Sequence, residues 1–321
     1  MRFIVTGGAG FIGSCIVRML NDKGLDDIII VDDIASTDKW KNIRNKHFTD
    51  YIHKDLLAGS LHSLENVSCV IHMGACSSTT ERNFDYLYAN NFEYTKMLWR
   101  YCTEENIPFL YASSAATYGD GTLGFSDSSD IKKLEPLNGY GYSKQLFDLW
   151  AEKQEKCPPQ HVGMKFFNVY GPNEYFKGSM ASVIFHSFNS VKKDGKIRLF
   201  KSYRNDFKDG EQKRDFLYVK DLCRVVEFFI EHRKISGLFN LGTGRAESFN
   251  ILAHAVFGAL GMEPEIEYID MPESLRPKYQ YFTQADIGKL RKIGYKECFN
   301  DLESGAADYV KQYLSRDYLI F

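Results

Sequence analysis

The stretch of residues 3–13 constrains the fold of this chain more than any other part of its sequence. A short apolar run, Phe3-Ile4-Val5, predicts a buried strand, and three glycines, Gly7, Gly10 and Gly13, follow before a helical pattern. Glycines at this spacing allow a tight turn, a close approach of backbone N–H groups to a pyrophosphate, and close packing of the helix on the strand. The stretch therefore predicts the first unit of a parallel α/β sheet with a nucleotide-binding turn.

A second apolar run, Ile28-Ile29-Ile30-Val31, predicts the next strand, and it ends at the acidic pair Asp32 and Asp33. This pair lies about 20 residues past the glycines, where a carboxylate can accept the ribose hydroxyls of an adenosine. A glycine pattern alone is a weak signal. The ordered series of strand, glycine turn, helix, strand and acid is much more specific, and it predicts a dinucleotide cofactor.

The alternation of strands and helices continues along the chain. Apolar runs predict further strands at residues 69–73, 109–112, 162–167 and 238–241, and helical patterns lie at 88–104, 140–156, 181–191, 221–232, 250–260 and 301–313. This order predicts an α/β fold: a Rossmann-type doubly wound parallel sheet with a smaller, discontinuous mixed α/β substrate domain. We predict a cofactor domain of residues 1–168 and 214–241, and a substrate domain of residues 169–213 and 242–321.

Tyr140 and Lys144 stand four residues apart in the predicted helix, so their side chains share one helix face. An ammonium near a phenol favours the phenolate, so we expect Tyr140 to act as a base below its ordinary pKa of about 10. Ser114 follows a predicted strand at the carboxyl edge of the sheet, where ligands bind in such folds. The three side chains suit proton movement while a cofactor takes a hydride. Taken alone, the Tyr/Lys spacing is better explained as a surface helix pair; the glycine turn reverses that preference.

The 321-residue chain has a formal net charge of −2, which argues against a general nucleic-acid or membrane-surface binder, since both need a basic excess. No apolar run approaches the roughly 20 residues that span a bilayer, and no signal-peptide pattern precedes the first strand. The seven cysteines are scattered and odd in number, which excludes complete pairing within the chain. We therefore expect a cytoplasmic protein with reduced thiols and no metal site.

Several motifs carry a resemblance to a known family. They are Thr-Gly-x-x-Gly-x-x-Gly, Ser-Ser-x-x-x-Tyr-Gly, Tyr-x-x-x-Lys and Arg-Asp-Phe-x-Tyr-Val, together with the longer stretches 74–81, 111–119, 167–172, 177–182 and 239–248. Over essentially its whole length the chain resembles the extended short-chain dehydrogenase/reductases that act on nucleotide sugars. The longer stretches resemble the branch of that family that epimerises the heptose of ADP-heptose.

The resemblance implies an isomerase in which tightly bound NADP takes a hydride from carbon 6 of the heptose and returns it to the other face. The sugar oxygen points in different directions before and after the sugar tail rotates, so the reaction needs two acid/base groups. The family pattern gives the first role to Tyr140, with Lys144 and Ser114 in support, and the second to Lys177. Without the family, Lys177 would be interpreted as a solvated loop charge.

The resemblance also implies binding residues. The implied cofactor contacts are Gly7, Gly10, Phe11, Ile12, Gly13, Asp32, Asp33, Lys39, Lys54, Gly74, Ala75, Cys76, Ser77, Asn90, Lys144 and Val169. The implied contacts with the sugar nucleotide are Asn168, Ser179, His186, Phe200, Lys201, Ser202, Tyr203, Arg214 and Tyr279. Arg214 has the clearest physical reason, because a guanidinium fork matches two diphosphate oxygens. Without the family, His186 would be a half-buried helix histidine and the charged run after Lys201 a solvated loop. The family further implies a homo-oligomer, namely a pentamer.

The choice between NADP and NAD depends on Asp33 and Lys39. The family's NADP-binding pattern has an asparagine where this chain has Asp33, and a second carboxylate should repel a 2′-phosphate and favour NAD. Lys39 matches the family's phosphate-binding lysine and favours NADP. We predict NADP, with NAD as the alternative.

Three other functions fit parts of the sequence. A 4,6-dehydratase of this superfamily has Asp-Glu directly after the hydroxyl residue, where this chain has Ala115-Ala116 with no proton to give. A 4-epimerase needs only one base, so Lys177 distinguishes it. A non-catalytic NADP-binding regulatory protein would not need a tuned phenolate, and the same fold can carry either function.

Overall fold

The computed structural model describes residues 1–273, 275–276 and 279–321. The strands in that part of the chain are β1 (Arg2–Thr6), β2 (Ile28–Asp32), β3 (Asp50–His53), β4 (Val67–His72), β5 (Phe109–Ser114), β6 (His161–Phe166), β7 (Asn168–Tyr170), β8 (Ile197–Phe200), β9 (Lys213–Arg214), β10 (Phe216–Tyr218), β11 (Gly237–Leu241), β12 (Glu247–Ser248) and β13 (Ile266–Ile269). The α-helices there are α1 (Phe11–Asp22), α2 (Leu57–Ser60), α3 (Phe84–Leu87), α4 (Tyr94–Glu104), α5 (Gly139–Glu152), α6 (Val183–Asp194), α7 (Val219–Glu231), α8 (Phe249–Leu260), α9 (Gly288–Lys292) and α10 (Leu302–Gln312).

Seven strands form one parallel sheet in the order β11-β6-β5-β4-β1-β2-β3. Strand β1 pairs with β2 on one side and with β4 on the other, so the strand order reverses beside β1. The other described strands form three pairs: β7 with β10, β8 with β13, and β9 with β12. The predicted α/β fold with a Rossmann-type sheet is confirmed. The residue boundaries of the two domains stay a prediction.

The central strands are apolar throughout because both faces of the sheet are covered. In β1, Phe3 and Val5 belong to a core with residues of α1 and α7. Ile4, between them, belongs to a second core with Leu98 and Trp99 of α4. Alternate side chains of one strand therefore enter different cores, as expected for a parallel sheet between two helix layers.

The helix predicted at residues 88–104 is interrupted. It begins earlier as α3, passes through a π-helical turn at Tyr88–Glu93, and continues as α4. Within the π turn, the Asn91 side chain accepts from the Cys76 backbone nitrogen at 2.8 Å and donates to the Cys76 carbonyl oxygen at 3.0 Å. The irregular turn thus fixes the small-residue loop after β4, in line with the frequent occurrence of π turns at functional sites.

Several strands are not predicted by the sequence patterns. Strand β3 has the sequence Asp-Tyr-Ile-His and lies at the edge of the sheet, with an exposed or half-buried pattern that gives no apolar run. Strands β8 and β13 are far apart in the sequence and pair in register from Ile197 with Ile266 to Phe200 with Ile269. Their pairing depends on the tertiary fold rather than on a local signal.

Candidate active site

The glycine turn after β1 lies at the carboxyl ends of β1 and β4, where the strand order reverses. Gly7 has a φ of +66°, and a Cβ there would lie 2.7 Å from the backbone nitrogen of Gly74. A Cβ on Gly13 would lie 2.1 Å from the carbonyl oxygen of Gly7. Helix α1 begins at Phe11, and its N-cap residue Gly10 provides no side-chain hydrogen bond to the first N–H groups. The turn therefore fits a pyrophosphate, which accepts hydrogen bonds from such N–H groups.

A cavity of about 590 Å³ extends from this turn along the ends of β2 and β4. The implied cofactor contacts that line it are Gly7, Asp32, Asp33, Lys39, Lys54, Gly74, Ala75, Cys76 and Asn90. The lining also includes Thr6, Val31, Tyr86 and Tyr94, which sequence analysis does not identify. A glycine floor with carboxylates and two lysines at one end fits a dinucleotide.

Two of the residues that sequence analysis missed support the cavity wall. The Thr6 hydroxyl accepts from the backbone nitrogen of Gly74 at 3.2 Å, and it lies 2.5 Å from the ring Nδ1 of buried His72. The Tyr94 hydroxyl donates to the Lys54 carbonyl oxygen at 3.1 Å, and burial raises the pKa of this phenol. Thr6 begins the Thr-Gly motif and could have been identified from it, whereas Tyr94 carries no sequence signal.

Other implied cofactor residues do not line this cavity. They are Gly10, Phe11, Ile12, Gly13, Ser77, Lys144 and Val169. The first four form the turn and the start of α1, Ser77 is exposed, and Val169 is half-buried in β7. Lys144 lies beside Tyr140 on α5.

Asp32 is buried at the end of β2, and its carboxylate is already engaged. Its Oδ2 accepts from the Ala9 nitrogen at 2.9 Å, and its Oδ1 accepts from Lys39 Nζ at 2.9 Å. Lys39 Nζ also donates to the Asp33 carbonyl oxygen at 2.6 Å. The Asp33 carboxylate is more exposed, and its Oδ1 lies 3.5 Å from Nε2 of His53 on β3. The second carboxylate therefore lies near His53, and the lysine and both acids line the cavity.

Tyr140 and Lys144 lie one turn apart on α5, and Ser114 ends β5, as the spacing predicts. Lys144 Nζ donates to the Ala112 carbonyl oxygen at 2.9 Å. Burial raises the pKa of the Tyr140 phenol, and a hydrogen bond with Ser114 only partly opposes this. The expectation of a lowered Tyr140 pKa is therefore wrong for the protein alone, because burial disfavours the phenolate and Lys144 is directed at a backbone oxygen. Burial also lowers the pKa of Lys144, to about 8.

A buried ion pair lies behind these residues. Lys165 Nζ is 3.0 Å from Oδ2 of Asp148, one turn after Lys144 on α5, and both side chains are only 1% exposed. Ser113 donates to Asp148 at 2.7 Å, and Lys165 donates to Thr117 at 2.6 Å, so the pair has the additional hydrogen bonds that a buried ion pair needs. The Asp148 carboxylate opposes the effect of burial on the Lys144 pKa. Sequence analysis missed this pair.

Lys177 lies directly after the 3₁₀ turn Glu174–Phe176, in the loop that follows β7. Its Nζ lies 5.4 Å from the ring centroid of Phe11, the first residue of α1. Burial lowers the pKa of the amine, and the Glu174 carboxylate opposes that effect. The amine therefore points toward the glycine turn, and it releases its proton more readily than a solvated lysine.

A second cavity, of about 950 Å³, lies among α6, β8, β9 and the start of α8. The implied sugar-nucleotide contacts that line it are His186, Phe200, Arg214 and Tyr279. The residues of its lining that sequence analysis does not identify are Val183, Ser187, Ser190, Arg198, Leu199, Gln212 and Phe249. No local motif joins these seven residues, which come together only through packing of distant segments.

Arg214 is a buried cation in this cavity. Its guanidinium donates to the carbonyl oxygens of Lys213 and Gln280 and lies 5.7 Å from the ring centroid of Phe249 and 5.1 Å from that of Tyr279. Within the described part of the chain, no carboxylate forms an ion pair with it, and burial lowers its pKa. A buried guanidinium without an anionic partner suits the binding of an anionic ligand such as a diphosphate.

A third cavity, of about 560 Å³, extends from this cation to residues that flank two of the catalytic candidates in the sequence. Arg214 and Tyr279 line both the second and the third cavities. The third is also lined by Ala116, two residues after Ser114, and by Asn138, the N-cap residue of the helix that carries Tyr140. A ligand bound to Arg214 can therefore extend toward Tyr140.

Five implied sugar-nucleotide contacts line neither the second nor the third cavity: Asn168, Ser179, Lys201, Ser202 and Tyr203. Lys201 Nζ lies 3.2 Å from Oδ1 of Asp270, and the Tyr203 hydroxyl donates to the same oxygen at 3.0 Å. The Ser202 backbone nitrogen donates to a carboxylate oxygen at 2.7 Å. These three residues bind other protein groups, while Asn168 and Ser179 are exposed.

Among the residues that the structure describes, no cluster of three or more His, Cys, Asp and Glu side chains could hold a metal ion. None of the helices in the same part of the chain combines the length and the apolar character needed to cross a membrane.

Comparison with known sequences places the chain in a family. The model of the NAD dependent epimerase/dehydratase family matches residues 3–242. An ADP-L-glycero-D-manno-heptose-6-epimerase of Fusobacterium nucleatum is 51% identical over 326 residues, which cover 98% of each chain. An enzyme of the same name from Nitratidesulfovibrio vulgaris is 51% identical over 319 residues, again 98% of each chain.

Solved structures support the same assignment. The crystal structure of Helicobacter pylori ADP-L-glycero-D-manno-heptose-6-epimerase has a TM-score of 0.81 at 26% identity and covers 97% of this chain and 95% of its own. A UDP-N-acetylglucosamine 4-epimerase from Methanobrevibacter ruminantium has a TM-score of 0.83 at 26% identity, with 98% of each chain covered. The fold alone does not separate these two enzymes, whereas the 51% identity favours the first. The chain belongs to the NAD dependent epimerase/dehydratase family and, within it, to the branch of the ADP-L-glycero-D-manno-heptose-6-epimerases.

Proposed function

We propose that this protein inverts carbon 6 of the heptose in ADP-D-glycero-D-manno-heptose and gives ADP-L-glycero-D-manno-heptose. The observation that carries the proposal is the position of Lys177, whose amine lies 5.4 Å from the Phe11 ring at the glycine turn. This amine provides a second acid/base group, which epimerisation at a rotating sugar tail requires and a 4-epimerase does not. The 51% identity to enzymes named for this sugar supports the choice of substrate.

NADP is the proposed cofactor, and its nicotinamide would accept a hydride from the sugar carbon and return it. The glycine turn and Gly74 would hold the pyrophosphate. Lys39 and Lys54 line the same cavity as the acidic pair and provide two cations for a 2′-phosphate. The Asp33 carboxylate is 42% exposed, so solvent screens its repulsion of that phosphate.

Tyr140 and Lys177 are the proposed acid/base pair. Oxidation needs a base that takes the hydroxyl proton, and reduction needs an acid that returns a proton to the oxygen from another direction. Lys177 suits the first task because burial lowers the pKa of its amine, and Tyr140 suits the second because burial raises the pKa of its phenol. The roles exchange in the reverse reaction. Ser114, which lowers the pKa of the phenol, would orient it, and Lys144, whose amine donates to the Ala112 carbonyl oxygen, ties α5 to β5.

Arg214 is the proposed anchor of the ADP diphosphate. Its guanidinium contacts the rings of Phe249 and Tyr279 and donates to two backbone carbonyl oxygens, so it is already oriented before the ligand arrives. An oriented fork loses less conformational entropy on binding than a free side chain does. The third cavity would let the sugar extend from Arg214 to Ala116 and Asn138, which flank Ser114 and Tyr140 in the sequence.

The direct test is to incubate the purified protein with ADP-D-glycero-D-manno-heptose without added reductant and to follow the two epimers by proton NMR. We expect conversion to an equilibrium mixture of both epimers. Absence of conversion, together with epimerisation of UDP-N-acetylglucosamine at carbon 4, would establish the rival 4-epimerase. Mass spectrometry of nucleotide released from the denatured protein would identify the cofactor.

The remaining parts of the proposal concern the whole molecule. We propose a cofactor domain of residues 1–168 and 214–241, a substrate domain of residues 169–213 and 242–321, and a homo-oligomer, with the pentamer as the family's form. We also propose that the protein acts on a small-molecule substrate, has no nucleic-acid or membrane partner, and works in the cytoplasm. Light scattering on the purified protein would measure the number of chains.

A further inference from the structure

Glu174 is a buried acidic residue in the loop that carries Lys177. It lies three residues before Lys177, opens the 3₁₀ turn, and is 0% exposed. Its Oε1 accepts from the Gly171 nitrogen at 3.3 Å and from the Ser182 hydroxyl at 2.7 Å, and its Oε2 accepts from the Ser182 nitrogen at 2.5 Å. One carboxylate therefore ties the beginning of the loop to the start of α6, with Lys177 between the two ends.

The partners of this side chain suit a carboxylate. Both backbone nitrogens can only donate, and the Ser182 hydroxyl has its proton free for Glu174 because its oxygen accepts from the Phe185 nitrogen at 3.2 Å. Three donors therefore converge on the two oxygens of this side chain; burial raises the pKa of the carboxyl, and these hydrogen bonds and the Lys177 charge oppose that effect. The geometry therefore favours the ionised carboxylate.

Four ionisable groups face this carboxylate. Cys15 on α1, Tyr175 in the loop and Tyr309 on α10 each have a pKa that Glu174 raises, and burial raises the pKa of all three further. They are therefore uncharged at neutral pH. The fourth group is Lys177, the cation whose charge Glu174 stabilises.

We propose that Glu174 is a positioning residue for Lys177: its carboxylate, three residues before the lysine, ties the two ends of the loop so that the amine lies over Phe11 with a buried acidic group nearby. This inference rests on the proposed acid/base role of Lys177. The direction in which Glu174 changes the pKa of Lys177 follows from electrostatics. Burial lowers the pKa of Lys177, and a neighbouring negative charge opposes this by stabilising the ammonium. Loss of that charge lowers the pKa further, so the amine becomes neutral at a lower pH.

The test measures the ionisation of Lys177 without turnover. The full-length protein is treated briefly with acetic anhydride at a series of pH values, and peptide mass spectrometry gives the acetylation rate of Lys177 at each. In Glu174→Gln we expect the midpoint of that rate profile to move to lower pH by about one unit, the size typical of an opposite charge nearby. The rising limb of kcat/KM against pH should move by the same amount.

Two matched variants separate charge from loop packing. Ser182→Ala removes a hydroxyl that holds the carboxylate, and Glu174→Asp shortens the side chain, but both retain the negative charge. We expect the midpoint of Lys177 to stay near the wild-type value in both, even where kcat falls. Equal displacement of the midpoint in all three variants, or no displacement in Glu174→Gln, overturns the proposal.

A reciprocal measurement applies if Glu174→Gln does not fold. Lys177→Met removes the cation, so the infrared band of the protonated Glu174 carboxyl should appear at higher pH than in the wild type; an unchanged band overturns the proposal. A different measurement tests the proposed function independently of Glu174. If Lys177→Ala retains full epimerisation, Lys177 is not an acid/base residue, whereas the acetylation profile still reports its coupling to Glu174.

Discussion

The dinucleotide cavity and the nucleotide-sugar cavity are built from different parts of the chain. The floor of the first is formed by backbone: the turns after β1 and β4 approach so closely that a Cβ on Gly13 or Gly7 would lie 2.1 or 2.7 Å from a backbone atom. The second is formed by side chains from α6, β8, β9, α8 and Tyr279, around the guanidinium of Arg214. A site made of backbone depends on which residues have no side chain, and a site made of side chains depends on which groups they carry.

Lys177 lies over Phe11 at the glycine turn, and its removal should have the largest effect. Lys177→Ala should lower kcat by about 10²- to 10⁴-fold, the usual contribution of a general acid or base. The affinity for NADP should change little, because the amine contributes to proton transfer rather than to the glycine turn. Steady-state kinetics and a dinucleotide titration measure the two quantities.

The matched control is Lys192→Ala, an exposed lysine in the last turn of α6. Because a surface substitution of this kind changes the free energy of unfolding little, kcat should stay at the wild-type value. Wild-type kcat in Lys177→Ala would remove the need for a second acid/base group and would favour a 4-epimerase.

A single added methyl group at the glycine turn should weaken binding in the dinucleotide cavity. Gly13→Ala places a Cβ 2.1 Å from the Gly7 carbonyl oxygen, so α1 must move away from the glycine turn. We expect weaker dinucleotide binding by up to about 100-fold, equivalent to the roughly 1–3 kcal/mol of an overpacked site. Isothermal titration with NADP measures the loss.

Gly258→Ala is the control for the same chemical change in an open place. No atom lies within 4 Å of a Cβ at Gly258 on α8, so the added methyl should raise helix stability slightly and leave NADP affinity unchanged. If Gly13→Ala bound NADP as tightly as the wild type, close packing of α1 on the turn would not be what shapes this site.

The same difference explains which parts of the molecule the sequence could predict. The turn, the central strands and the pairing of Tyr140 with Lys144 follow from local spacing, because a glycine pattern, an apolar run and a helix repeat each act within a few residues. Edge strand β3, with its polar pattern, and the lining residues of the sugar cavity are set by tertiary packing. The raised pKa of Tyr140 could not be predicted either, because helix spacing gives proximity but not burial.

The side-chain-built site should be sensitive to the shape of a charged group. Arg214→Lys keeps the positive charge but removes the planar fork and its contact with Phe249 and Tyr279. We expect KM for the nucleotide sugar to rise about tenfold, the value of one charge-assisted hydrogen bond, with NADP affinity unchanged. Initial-rate kinetics at saturating NADP give this KM.

The control for this prediction is Arg18→Lys, since Arg18 forms an exposed ion pair with Asp22 on α1. It should leave KM unchanged because surface ion pairs contribute little. If Arg214→Lys instead raised the Kd for NADP and left KM for the nucleotide sugar unchanged, the guanidinium would belong to the dinucleotide cavity.

The smallest effect should come from Asp33, a side chain at the rim of the backbone-built site. Its carboxylate is 42% exposed, so solvent screens its field at a 2′-phosphate. Asp33→Asn should raise the ratio of NADP to NAD affinity by about two- to fivefold, as expected for one partly exposed charge. Parallel titrations with both dinucleotides measure this ratio, and Asp22→Asn, an exposed acid on the far end of α1, serves as the control.

A ratio that falls would mean that Asp33 assists NADP binding through His53 or Lys39, and tighter NAD binding by the wild type would reverse the proposed cofactor. Asp33 acts through the charge of its side chain, and NAD has no 2′-phosphate for that charge to repel. The ratio can therefore change while the affinity for NAD stays constant. Such a result would separate the effect of charge on the choice of cofactor from the effect of the glycine turn on binding itself.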